Sequence, residues 1–152
     1  MNKAIISFII VAGLLAGCKD DNHKHGDAEH GHLHGDEVHT GGELEPLAYT
    51  LYTDKSELFV EFKPLIVGET TRFAAHITQL GETFKAVTEG SVTVSLIGNG
   101  TQLTDKAEAP SSPGIFRLAL NPENPGTYQL VFDVHTKEFS DKITIANITV
   151  YL

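Results

Sequence analysis

The chain has 152 residues, with 20 acidic against 11 basic side chains, a formal net charge of -9 and a single cysteine, Cys18. The negative balance argues against nucleic-acid binding, which needs a basic footprint. One cysteine allows no disulfide, no CxxC redox pair and no thiolate cluster; with no Gly-rich phosphate loop and no nucleophile–base constellation in the sequence, it also argues against an enzyme.

In chain order, Lys3 precedes the apolar run Ala4 to Gly17, "AIISFIIVAGLLAG". A membrane-spanning helix needs about 20 residues, and this run is shorter. A short positive start, an apolar centre and small residues at the end are the parts of a secretory signal peptide, predicted over 1–17. Its end, Leu15-Ala16-Gly17-Cys18, resembles a bacterial lipobox. The resemblance implies that Cys18 is lipidated and becomes the first residue of the mature protein. A lipidated cysteine is a thioether and is lost as a thiol ligand or nucleophile. Bacterial lipoproteins carry more than one acyl chain, and two chains anchor durably where one does not. Lys19-Asp20-Asp21 follows. It resembles the export signal that sends some Bacteroidota lipoproteins to the outer surface. The expected location is the outer membrane, facing the periplasm or the cell surface.

Residues 18–45 read as a lipidated, flexible, His-rich tail. The segment is polar, charged and glycine-rich, with no apolar period, so it cannot bury enough surface to offset the entropy of ordering. Within it, "HKHGDAEHGHLHG" (23–35) holds His23, His25, His30, His32 and His34, and His39 follows. Imidazole suits Zn²⁺, Cu²⁺, Co²⁺ and Ni²⁺. In an extended chain, side chains at i and i+2 share a side, and Gly26, Gly31 and Gly35 let the backbone wrap an ion at little steric cost. Asp20, Asp21, Asp27, Glu29, Asp36, Glu37, Glu43 and Glu45 concentrate cations and offer extra oxygen ligands. These six histidines are the predicted metal ligands. An unorganised site loses affinity to its own ordering, so the expected binding is exchangeable, as in capture or buffering. The only methionine is Met1. It leaves with the signal peptide, so no thioether site for Cu(I) is available.

From Leu47 the pattern becomes β throughout, over about 105 residues, the size of one compact domain. Short β-rich runs fall at 47–53 and 57–62. "TRFAAHITQL" (71–80) puts Phe73, Ala75 and Ile77 on one face and Arg72, His76 and Thr78 on the other. "SVTVSLIG" (91–98) alternates Val92, Val94 and Leu96 against Thr93 and Ser95. Runs at 114–120, 127–135 and 142–152 continue the scheme. Turn signals lie at Gly98-Asn99-Gly100, Pro110 to Gly114, and Asn121 to Gly126. The reading is an all-β fold: a single immunoglobulin-like β-sandwich of about seven strands over 46–152. "PGIFRL" (113–118) and "PGTYQL" (125–130) share Pro-Gly-x-aromatic-x-Leu. The second is placed to form a tyrosine corner, with Leu130 where an antibody domain has its second disulfide cysteine. Without a disulfide, the core must rest on Phe73, Val94, Leu96, Phe116, Leu118, Tyr128, Leu130 and Phe132. Each contributes roughly 1.5–3 kcal/mol when fully buried. His76 and His135 fall on the faces opposite the apolar set and read as exposed sandwich histidines. A second metal site would need them close in space.

Residues 48–90, "AYTLYTDKSELFVEFKPLIVGETTRFAAHITQLGETFKAVTEG", and 112–134, "SPGIFRLALNPENPGTYQLVFDV", are similar to the N-terminal β-sandwich of periplasmic adaptor lipoproteins in heavy-metal resistance–nodulation–division (RND) efflux systems of Bacteroidota. A His-rich lead-in after a lipobox also looks like theirs. The resemblance covers almost all of the mature chain and implies a metal-handling sandwich whose partners are a membrane and an RND efflux system. Adaptors continue into a barrel, a lipoyl-like domain and a helical hairpin; this sequence stops after its last strand. The expectation is therefore an accessory module or a truncated relative. The rival reading is a lipid-tethered β-sandwich interaction module with no metal role.

Overall fold

The computed structural model describes residues 44–152. Every regular element in them is a strand: β1 Leu47–Tyr52, β2 Ser56–Phe62, β3 Leu65–Ile66, β4 Thr71–Gln79, β5 Lys85–Ala86, β6 Ser91–Gly98, β7 Thr101–Ala107, β8 Ile115–Leu120, β9 Gly126–His135 and β10 Ser140–Tyr151. One sheet runs β1-β2-β4, and β4 then pairs with both β5 and β8 along its far edge. The other runs β3-β10-β9-β6-β7. All pairings are antiparallel except β3, which runs parallel to β10, with Leu65 opposite Val150. The chain thus leaves the first sheet at Phe62, crosses at Lys63-Pro64 and joins the second sheet at its edge. That sheet switch and the β2-β4-β8 and β10-β9-β6 order define an immunoglobulin-like sandwich.

Alternation places the core. β4 buries Thr71, Phe73, Ala75 and Ile77, and leaves Arg72 exposed and His76 half-buried. β2 does the same with Leu58, Val60 and Phe62, and β6 with Val92, Val94 and Leu96, although Ser95 on the opposite face of β6 is buried as well. All the side chains nominated above for the core are buried. Aromatic rings bridge the layers: Phe62 lies 4.9 Å from Phe73, and Phe73 meets Phe132 of the opposite sheet edge-on at 6.4 Å. Among the described residues no buried side-chain polar atom lacks a hydrogen-bond partner.

The tyrosine corner is present. Tyr128 is buried and its hydroxyl donates to the Asn124 carbonyl at 3.0 Å, four residues upstream, while Leu130 is fully buried two positions on. Gly98 sits beneath the ring. A Cβ there would fall 2.8 Å from Tyr128 Cδ1 and 3.0 Å from the Thr127 carbonyl oxygen, so only glycine fits.

The strand count is corrected from about seven to ten. Two of the additions, β3 and β5, are two-residue strands, too short to show a period. The third, β7, is a full strand, paired with β6 from Gly98↔Thr101 to Val92↔Ala107. It is an edge strand whose side chains are exposed or half-buried, and Leu103 is its only large apolar residue, so no buried stripe marks it. The signal that finds it is the turn. Asn99 and Gly100 both take positive φ, 51° and 74°, as a two-residue type I′ hairpin requires.

Candidate functional site

The predicted lipid site, Cys18, and the six predicted ligands, His23, His25, His30, His32, His34 and His39, lie outside the described residues. The described residues begin at Leu44, at one end of the sandwich. Leu47 pairs with Phe62, Phe62 with Phe73, and Leu65 with Val150. The start of β1, the β2–β3 crossover and the end of β10 therefore share one end of the sandwich, here called the base. Leu44 lines a groove of about 520 Å³ there with Lys63, Pro64, Ile66, Glu69 and Arg72. Leu152, almost fully exposed, ends the chain nearby.

The other two histidines are not brought together. His76 stands on the outward face of the first sheet, between Phe59 and Ile115 in register, with its ring edge-on to Phe59 at 5.5 Å. His135 ends β9 in the second sheet, opposite Ser91 and Ser140, and its Nδ1 is hydrogen-bonded to Ser140 Oγ at 3.1 Å. That is the end of the sandwich away from the base. The two rings lie on different sheets and share no ligand partner, so they form no joint site. Among the described residues no three His, Cys, Asp or Glu side chains cluster to hold a metal ion.

One polar cluster escaped sequence reasoning. The β1–β2 turn, Thr53 to Ser56, closes with Thr53 N–H donating to the Ser56 carbonyl at 2.9 Å. Thr53 Oγ1 accepts from the Lys55 and Ser56 N–H groups. The β9–β10 turn, Thr136 to Phe139, repeats the device: Thr136 Oγ1 accepts from Glu138 and Phe139 N–H. A threonine opening a four-residue turn between two strand runs is the signal for both. Asp141 of β10 then joins the sheets. It accepts from the Thr53 hydroxyl, from Ser56 Oγ at 2.6 Å and from its neighbour Lys142 N–H at 2.8 Å, while Lys55 Nζ donates to the Ser140 carbonyl at 2.8 Å.

Burial alone would raise the Asp141 pKa. The Ser56 and Thr53 hydroxyls, the Lys142 N–H and the Lys55 charge together outweigh it and hold the carboxyl below the ordinary carboxylate value. A depressed folded-state pKa stabilises above the unfolded value of about 3.9 and loses that contribution as pH falls through the folded one. Asp141→Ala also strands the fully buried Ser56 hydroxyl, which should cost about 1–3 kcal/mol at neutral pH. Denaturant melts at pH 7 and pH 3 check this: the gap between wild type and variant should shrink at the lower pH. An equal gap at both would remove the carboxylate from the account.

The fold and its surface define an immunoglobulin-like β-sandwich with no ligand cluster among its described side chains. Comparison with protein-family models, curated proteins and solved structures finds no match to this chain.

Proposed function

We propose that the chain is a membrane-anchored lipoprotein that captures or buffers a divalent transition metal through His23, His25, His30, His32, His34 and His39, in the setting of heavy-metal RND efflux. The observation that carries the reading is the histidine array itself, six imidazoles among acidic residues directly after a lipobox. The family resemblance of 48–90 and 112–134 supports the efflux setting. The division of labour is simple. The lipid on Cys18 holds the chain at the membrane, the tail takes Zn²⁺, Cu²⁺, Co²⁺ or Ni²⁺ in exchangeable form, and the sandwich carries the tail and meets partners.

The experiment has two arms. In fractionation, Cys18→Ser should release the protein from membranes into the soluble fraction; sedimentation after a high-salt wash would count against the anchor. In calorimetry, deleting residues 23–39 should remove nearly all the Zn²⁺ titrated by the intact chain. Equal binding by the deleted chain would move the site to the sandwich. Binding by neither would leave the interaction-module reading in place.

A further inference from the structure

A sheet edge presents unpaired N–H and C=O groups and invites another strand, and proteins blunt such edges with charge, proline, bulges or brevity. Five of the six edges described here are blunted, and β5 is one of them, being only two residues long. β3 is two residues long, set between Pro64 and Gly68. The stretch of β10 beyond β3 carries Asp141 and Lys142, has Lys55 on the Ser140 carbonyl, and bulges at Ala146-Asn147, where Asn147 takes a φ of 58°. β7 carries Asp105 and Lys106. β8 has its far side occupied: Asp105 Oδ2 accepts from Ala119 N–H at 2.8 Å, and Ser111 N–H donates to the Ile115 carbonyl at 2.8 Å.

β1 has none of these devices. "LAYTLY" contains no charge, no proline and no glycine. It pairs with β2 along its whole length, and no described strand pairs with its other edge. Its core-facing side chains, Leu47, Tyr49 and Leu51, pack against the core but are only half-buried. Beside the fully buried Leu58 and Val60 of β2, they are an apolar stripe that the fold covers incompletely.

The stripe is also self-complementary. Leu47-Ala48-Tyr49-Thr50-Leu51 is a near-palindrome about Tyr49. Antiparallel pairing of two copies about that residue sets Tyr49 opposite Tyr49, Leu47 opposite Leu51 on the core face, and Ala48 opposite Thr50 on the outer face. Every side chain keeps its face, as strand pairing demands, and an isologous two-fold contact requires such a match. Pro46, which has no N–H to donate, falls opposite Tyr52 and ends the pairing there. We propose that β1 is a homodimerisation strand: a second copy of this chain adds its own β1 antiparallel at Tyr49, joining the two first sheets into one. Five residues a side make a small interface, so the dimer forms in a concentration-dependent way.

The test uses the full chain in cells. Two differently tagged copies should co-purify. Ala48→Lys with Thr50→Lys, both exposed positions, opposes two pairs of like charges across the axis and should cut co-purification by about tenfold or more. Pairing that variant with an Ala48→Glu, Thr50→Glu partner should restore it, which a misfolded variant does not allow. Register is read with a short bifunctional maleimide. Thr50→Cys should cross-link to a species of twice the chain mass, whereas Gln102→Cys on β7 stays at the background set by Cys18 in the unmodified chain. Absence of wild-type co-purification, lysine variants that co-purify undiminished, or cross-linking of Thr50→Cys to a different protein would each overturn the proposal.

Discussion

Phe132→Ala should destabilise the sandwich by about 3–5 kcal/mol, measured as a shift in the denaturant midpoint at unchanged slope. Phe132 is fully buried at the centre of β9, with Val94 of β6 on one side and Ile143 of β10 on the other. Its ring is the second sheet's contribution to an aromatic series that begins at Tyr49 and passes through Phe62 and Phe73. Truncation removes the ring that reaches from β9 to Phe73 of the opposite sheet. The cavity is walled by strands paired on both sides, which cannot collapse into it, so the loss should sit at the upper part of the range. No disulfide limits the unfolded state, and domains of this size hold only about 5–15 kcal/mol in total. Phe59→Ala is the control. That ring is half-buried on the outward face and touches His76, so its loss should cost much less. Equal effects at the two positions would mean that the alternation of β2 and β9 does not set the energetics.

The sequence carries the core plainly because the central strands bury alternate residues against one apolar layer, although β6 and β9 also bury Ser95 and Val131 on the other face. Val92, Val94 and Leu96 against Thr93 and Ser95 can be read only one way. The tyrosine corner is legible for another reason: a proline-glycine turn fixes where Tyr128 starts, and Leu130 two positions on must then face inward. Edge strands are harder. β7 buries little, so its residues satisfy no period, and only the Asn99-Gly100 turn betrays it. Asp141 is illegible for a deeper reason. Its partners Thr53 and Ser56 are more than eighty positions away, and only the sandwich geometry brings the β1–β2 turn against β10. The same holds for His76 and His135. Alternation tells that both face outward, but not that they stand on different sheets. The blunted and unblunted edges become visible only once the strand order is known. "LAYTLY" on its own reads equally well as a central strand.

Metal binding by the intact chain should be strong at pH 7.5 and largely lost by about pH 5.5. The proposed ligands are neutral imidazoles, and histidine has an unperturbed pKa of about 6.5. Protons therefore compete with the metal for the imidazoles across this range. Several imidazoles must be neutral together to hold one ion, which steepens the loss over about one pH unit. The Asp141 link between the sheets does not share this window. Asp141, one of the carboxylates that tie the two sheets together, is held below its ordinary value, so its contribution survives until the pH falls under about 4. Between pH 7.5 and 5.5 the sandwich should therefore melt alike with and without residues 23–39, while bound Zn²⁺ or Cu²⁺ falls away in calorimetry. That separation makes the result decisive. Metal lost together with cooperative melting would place the ion in the sandwich, and binding that persists at pH 5.5 would point to carboxylates in place of imidazoles. Metal lost at constant stability would leave the histidine segment as a pH-gated arm on a sandwich indifferent to its load.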